Sequence, residues 1–198
     1  YSLFDLKGKA LLQILAILAC MSPPVIGAYS WIQMFGRGGI FTKMIRTAFG
    51  FRLPDIYGFG GIVIVITCQL FPLVFLYING ALKNIDNSLI EASSGLGCNS
   101  FKRFFKVILP LCMPTILAAG LLVFMRAFAD FSTPLLIGKG YQTFPVLIYN
   151  SFVGETSRSQ NFAAAVSVVG IIVTALIFFV QKVANAKFNF TMNALHSI

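Results

Sequence analysis

Histidine is almost missing from this sequence: among 198 residues His196 is the one imidazole, set beside six acidic side chains. With that single histidine near the end of the chain, neither a Ser-His-Asp set nor a His/Cys metal cluster can be assembled. An intramembrane enzyme would need His, Asp or Glu clusters at depth, and the sequence offers none. The four cysteines lie far apart, and Cys20, Cys68 and Cys112 fall in apolar runs. They read as small buried hydrophobes rather than disulfides or ligands. No GxxxxGK[ST] phosphate loop occurs, so the chain cannot cradle ATP by that means. Gly138-Lys139-Gly140 is no substitute, since it lacks the upstream glycine and the Ser/Thr. A secretory signal pattern is also missing.

Charge is scarce as well, at 11% of residues, while 58% are hydrophobic and the mean hydropathy is +0.86. Soluble domains carry about 45–50% apolar and about 25% charged residues. We therefore expect an all-α membrane protein. The chain opens on Tyr1 rather than Met, and is expected to be a single transmembrane domain, 1–198, cut from a longer chain. The net charge of +9 does not make a nucleic-acid binder of it, because the fifteen basic residues are scattered over loops and span ends. In a membrane protein such residues set topology.

Crossing about 30 Å of hydrocarbon takes about 20 apolar residues as a helix. Four runs approach that length: about 10–32, broken by Pro23-Pro24; about 60–79, with Pro72 inside; about 107–128, with Pro110 and Pro114; and about 162–181. A fifth segment, about 134–153, is interrupted by "GKGYQTFP" and reads as a short or re-entrant helix. Backbone that irregular survives at membrane depth only where protein or a water-filled cavity covers it. If the loop 80–106 is cytoplasmic, Lys7, Lys9, Lys83, Lys102, Arg103, Lys106, Lys182 and Lys187 lie inside and Arg37, Lys43, Arg46, Arg52, Lys139 and Arg158 outside. Eight against six follows the positive-inside rule, though weakly. Gly27, Gly120 and Gly170 sit within spans, where small residues suit close helix packing. The prolines suit helices that bend around a pathway. Tyr29, Trp31, Tyr57 and Tyr141 read as interface-belt aromatics.

The loop 84–106 between the second and third spans is different in kind. Ser88-Leu-Ile-Glu91 fits a capping box, with Asp86 or Asn87 ending the segment before it. The Glu91 charge in the first turn also suits the helix dipole. Gly95 and Gly97 can stop this helix after about two turns. Asn99 or Ser100 can cap a second one. On that second helix Phe101, Phe104, Phe105 and Ile108 share one face, while Lys102, Arg103 and Lys106 point elsewhere. Two readings are open: an amphipathic helix resting on anionic lipid, or a short handle lying in a groove of a partner protein.

The same residues resemble the signature loop of binding-protein-dependent ABC importer permeases. That pattern runs Glu-Ala-Ala, three residues, Gly, nine residues, Ile, one residue, Leu-Pro. Here Glu91-Ala92-Ser93 is followed by Gly97, Val107 and Leu109-Pro110, with every spacing kept and two mild replacements. Flanking stretches, among them "SPPVIGAYSWIQMFGRGGI" and "ADFSTPLLIGKGYQTFPVLIY", resemble the ferric-iron branch, and the chain looks like most of one half of a two-half permease. Neighbouring branches carry thiamine, polyamines, 2-aminoethylphosphonate or sulfate.

What the resemblance implies is a type I ABC importer helix bundle in a bacterial inner membrane, with the loop as cytoplasmic coupling helix. Glu91, Ala92, Ser93 and Gly97 would form the contact with a cytoplasmic ABC ATPase dimer, Lys102, Arg103 and Lys106 its rim, and Leu109-Pro110 the entry to the third span. ATP and Mg would be bound by that partner, and this chain would hold no cofactor. A periplasmic binding protein, a second permease half, fused or separate, and membrane lipid complete the expected partners. A gradient-driven secondary transporter is the competing class. It would want several ionisable residues within spans, and only Arg126 and Asp130 qualify. These two lie four apart and are expected to face one another as an ion pair near the outer end of the third span. A pathway role for Arg126, Asp130, Tyr141 and Tyr149 is the sharper alternative, the last three offering hard oxygen ligands to a ferric cargo.

Overall fold

The computed structural model describes residues 9–51, 54–85, 87–95, 97–154 and 157–193. Among these residues the regular structure is helical, with no strand. In chain order the elements are α1 (Lys9–Met21), α2 (Pro24–Phe35), α3 (Ile40–Phe49), α4 (Phe59–Lys83), α5 (Asn87–Gly95) and α6 (Ser100–Arg103). A π-helical turn, Phe104–Ile108, leads into α7 (Leu109–Phe128), followed by α8 (Ser132–Ile137), α9 (Phe144–Val153) and α10 (Ser157–Asn193).

Proline sets several of these boundaries. The stretch 10–32, expected as one proline-broken crossing, forms two helices that meet at a bend of 109°. Pro24 takes the first position of α2, where its missing amide hydrogen costs nothing, and Pro23 before it is extended at φ −59°, ψ 137°. Before Pro110 the helix widens instead of breaking: the Leu109 amide donates to the Phe104 carbonyl, five residues back. A proline ring crowds the carbonyl four positions earlier, here that of Lys106, and the wide turn absorbs the displacement. The segment 134–153 resolves into α8 and α9, separated by a turn in which Gly138 donates to Pro134 O at 2.8 Å and Tyr141 to Gly138 O at 3.1 Å.

Among the described residues, three helical stretches are long and apolar enough to cross a membrane: Phe59–Lys83, Ser100–Phe128 and Gln160–Ala186. Only 17%, 17% and 11% of their most apolar windows are buried within the chain. Helices so thinly covered need lipid or other protein around them, since exposed apolar surface of this extent is unfavourable in water.

The chain divides into two compact units. One consists of the described parts of 1–17, 73–123 and 175–198. Its buried side chains include Ile108, Cys112, Ala119 and Asn79. In it the Gln181 side chain donates through Nε2 to the Leu117 carbonyl at 2.6 Å, tying α10 to α7. The other unit consists of the described parts of 18–72 and 124–174. Here α2 packs against α8 and α3, and Ala28, Val65, Thr133 and Ile137 have no exposed surface. The Phe128 ring lies 5.6 Å from Phe124 and 5.4 Å from Phe144.

The in-span glycines divide by need. A Cβ on Gly27 would stand 2.9 Å from Gln69 Nε2, the end of a flexible side chain that can swing aside. Gly170 would make ordinary contact with Phe144, and Gly120 faces open space. The tightest position is Gly61, where a Cβ would collide with the Ile56 backbone carbonyl, while its neighbour Gly60 has nothing within 4 Å. Gly61→Ala is expected to destabilise the protein by about 3 kcal/mol, the upper range of overpacking costs. Gly60→Ala should be neutral or slightly stabilising. Thermal unfolding of the two variants in detergent checks the contrast, and equal midpoints would refute it.

Candidate functional site

The loop 84–106 folds as two short helices around a glycine elbow. The first, α5, begins at Asn87, so Ser88 lies inside it rather than at its cap, and Glu91 is its fifth residue. The expected capping box is therefore displaced: the helix starts ahead of Ser88, and Asp86 lies outside the described residues. The end of α5 follows expectation at one glycine of the two. Gly97 takes the left-handed conformation at φ +73°, and the Cys98 amide donates to the Ser93 carbonyl at 3.1 Å. That six-to-one bond is the closure of a Schellman cap. Gly95 remains helical. Asn99 then caps α6, its Oδ1 accepting from the Ser100 amide at 3.0 Å.

This geometry sorts the sequence-expected residues. Glu91, Ala92, Gly97, Lys102, Lys106 and Pro110 are exposed, and Arg103 and Leu109 half-buried. Ser93 is turned inward, 7% exposed, with its hydroxyl donating to the Ile90 carbonyl at 2.8 Å. It braces the turn and does not offer its side chain to a partner. Phe101, Phe104 and Phe105 form an exposed aromatic group, with ring centroids 4.9 Å apart for Phe101–Phe105 and 5.2 Å for Phe104–Phe105. Only Ile108 of that expected face is buried. The site is an outward handle: one acidic residue, a glycine elbow, three aromatics and two exposed lysines.

The residues considered for a pathway do not pair as expected. α7 ends at Phe128, so Arg126 and Asp130 are not held in one helical register. No ion pair joins them among the described residues. Asp130 instead accepts, through Oδ1, from the amides of Ser132 and Thr133 at 3.0 and 3.2 Å, holding the start of α8. Tyr149 meets Phe131 edge-on at 5.0 Å, and Tyr141 lies 6.0 Å from Phe59. Both tyrosines are about half exposed.

A charge cluster that the sequence reading passed over lies elsewhere. Arg37 donates through Nε and Nη2 to one oxygen of Asp55, at 3.2 and 2.9 Å. Its guanidinium stands 5.5 Å from the centre of the Tyr57 ring. Lys139, at φ +46° in the left-handed region that glycine favours, brings its ammonium to 3.6 Å from the same carboxylate. The Arg37 hydrogen bond is the chief cause that holds the Asp55 carboxyl below its ordinary range. Eighteen and eighty-four residues separate Asp55 from its two partners, so no local pattern announces the cluster.

The family model described as "Binding-protein-dependent transport system inner membrane component" matches residues 57–189, which include the whole handle. The chain is 36% identical over 173 residues to the ferric transport system permease protein FbpB of Actinobacillus pleuropneumoniae, covering 85% of this chain and 25% of that protein. It is 34% identical over 191 residues to the spermidine/putrescine transport system permease protein PotB of Haemophilus influenzae, covering 92% of this chain and 64% of the relative. The chain thus spans about a quarter of the ferric permease it matches. Among solved structures, the inward-facing MetNI methionine ABC transporter has a chain with a TM-score of 0.68 at 20% identity, covering 92% of this chain and 76% of that one. That likeness establishes the type I importer fold.

Two outcomes are expected from this geometry. Gly97→Ala must force a Cβ into the left-handed region and should cost about 1 kcal/mol, whereas Gly95→Ala in the helix should cost nothing. Amide exchange at residues 93–98 reads the difference, and equal protection in the two variants would refute it. Asp55 is held deprotonated in the folded state, so the unfolded chain takes up the proton first as pH falls. Its contribution is full above about pH 4, the range of an unperturbed Asp, and fades as pH drops through the lower folded value. Asp55→Asn should therefore lower the unfolding midpoint at pH 5–8, and the gap should close as pH falls from about 4 through the lower folded value. A midpoint gap that persisted in acid would contradict the assignment.

Proposed function

The chain belongs to the binding-protein-dependent transport system inner membrane components, and from that premise we propose that it is the translocating subunit of an ATP-driven importer whose cargo is ferric iron. Its relatives are transport permeases, and the reading assigns it no catalysis of its own. ATP and Mg belong to a separate cytoplasmic ATPase, and α5 with α6 is the segment that ATPase grips. The observation that carries the docking role is the exposed Glu91-Ala92 turn ended by Gly97, with Lys102 and Lys106 beside it. A rigid, capped handle transmits displacement, where a frayed loop would absorb it.

In this mechanism ATP closes the ATPase dimer, the docked handle moves with it, and the spans pass from an inward- to an outward-facing arrangement. A binding protein then yields its ligand to the pathway, and hydrolysis resets the cycle. Each partner state acts only through its differential affinity for the two arrangements. The Leu109-Pro110 junction supports such transmission: α6 and the third span form one continuous helical stretch, Ser100–Phe128, with the π-helical turn between them. Turns of this kind inside helices are frequent at functional positions. A second permease half, fused or separate, completes the pathway. A relative about four times the length of the matched stretch leaves room for it in one chain.

Ferric iron is preferred as cargo from the likeness to the ferric permease, and a polyamine is the second reading, from the likeness to the spermidine/putrescine permease. Uptake of labelled ferric iron and of labelled putrescine by cells carrying the full-length protein separates the two. Glu91→Lys or Gly97→Asp should lower uptake at least about tenfold, the effect of some 1.4 kcal/mol of lost docking energy, while membrane insertion stays intact. Cross-linking from residues 88–106 should capture a phosphate-loop ATPase from the parent protein. Normal uptake by both variants, or no ATPase captured under conditions that preserve complexes, would refute the coupling role.

A further inference from the structure

Translocation as described leaves the bases on and around α3 without a task. Three of them, Arg37, Lys43 and Arg46, line a cavity of about 430 Å³ together with Phe35, Gly36, Thr42, Pro54 and Asp55. The acidic member is already matched, since Asp55 is bound by Arg37 at 2.9 Å and approached by Lys139 at 3.6 Å. Lys43 and Arg46, one turn apart on α3, have no ion-pair partner among the described residues. Thr42 Oγ1, which belongs to the lining, is buried without a hydrogen-bond partner. The cavity therefore presents two unmatched cations and an unused hydroxyl, a donor set suited to phosphate oxygens.

The rest of α3 says where that phosphate comes from. At 100° per residue, Ile40, Phe41, Met44, Ile45, Ala48 and Phe49 fill one half of the helix, and Thr42, Lys43, Arg46 and Thr47 the other. Phe41 turns inward and stacks on Phe35 at 5.3 Å. Ile40, Met44 and Phe49 stay 70%, 56% and 80% exposed, and Phe51 just beyond the helix 61%. A soluble anion could fill the cavity but would leave these side chains in water. A phospholipid satisfies both halves, its acyl chains covering the apolar face and its headgroup meeting the cations. We propose that α3 is an interfacial helix and that the cavity at its polar edge binds the phosphate of an anionic phospholipid through Lys43 and Arg46. This accounts for the weak inside bias of the basic residues, and it stands whatever the cargo is.

The test uses the full-length permease assembled with its own subunits, delipidated in neutral detergent, and titrated with phosphatidylglycerol or phosphatidylcholine under native mass spectrometry. The parent should retain phosphatidylglycerol in preference to phosphatidylcholine, and the preference should weaken with salt. Lys43→Gln with Arg46→Gln should lose about thirtyfold in that binding, as two cations near an anionic headgroup contribute. The charge-keeping pair Lys43→Arg with Arg46→Lys should retain it within about threefold. Met44→Glu should also weaken lipid binding, because it places a charge against the acyl chains. Equal retention of the two lipids by the parent overturns the proposal even if a variant fails to assemble. So does undiminished phosphatidylglycerol binding by an assembled double-glutamine variant. Complete displacement of the lipid by millimolar inorganic phosphate, with Met44→Glu binding normally, would show a soluble-anion site and overturn it as well.

Discussion

Inside a bilayer a backbone carbonyl has no water to turn to, so a helix that meets proline there must rearrange or leave a polar group bare. This constraint shapes more of the protein than any contact between side chains. At Pro23-Pro24 the chain bends by 109° and starts a new helix. At Pro110 it widens into a π-helical turn and continues. The difference lies in what surrounds each site. Two consecutive prolines remove two amides and bias the residue before each toward extended backbone, so the helix stops. A single proline removes one amide, and one wide turn bridges the gap.

The handle depends on the second of these solutions. Because the helix survives Pro110, the exposed turn at Glu91-Ala92, the Gly97 elbow and the aromatic group of Phe101, Phe104 and Phe105 lead into a membrane-length helix by short, capped connections. Under the coupling proposed above, displacement of α6 would reach the span through the π-helical turn. The internal ties are equally local: Ser93 to Ile90, Cys98 to Ser93, Asn99 to Ser100. All of them lie within the loop itself, so its exposed surface is held in shape by its own backbone and side chains.

Much of this was legible in the residues. The membrane-length helices follow from runs of apolar side chains, the break at residues 23–24 from two prolines, and the elbow from a glycine, all within a few positions of one another. The spacing from Glu91 to Pro110 is likewise a linear pattern. Boundaries were less legible. α5 already includes Asn87 and Ser88, so Ser88 lies inside the helix and not at its cap; Asp86, Asn87 and Ser88 are all residue types that cap helices, and nothing local chooses among them. Arg126 and Asp130 looked like a helical pair because helical spacing was assumed to continue; α7 stops at Phe128, and the carboxylate found amides nearer to hand.

By itself, then, the sequence determined which segments are apolar enough to form membrane-length helices, where the backbone must bend, and which short stretch is shaped as a handle. These are properties of neighbouring residues and of the solvent around them. The tertiary structure alone decided that Asp55 gathers Arg37 and Lys139, that Ser93 faces inward, that Gly61 tolerates no side chain while Gly120 has space, and that Lys43 and Arg46 line a cavity whose acidic residue, Asp55, is already paired with Arg37. Each of these depends on which distant segment arrives at a given side chain. A linear pattern does not encode that arrival; packing does.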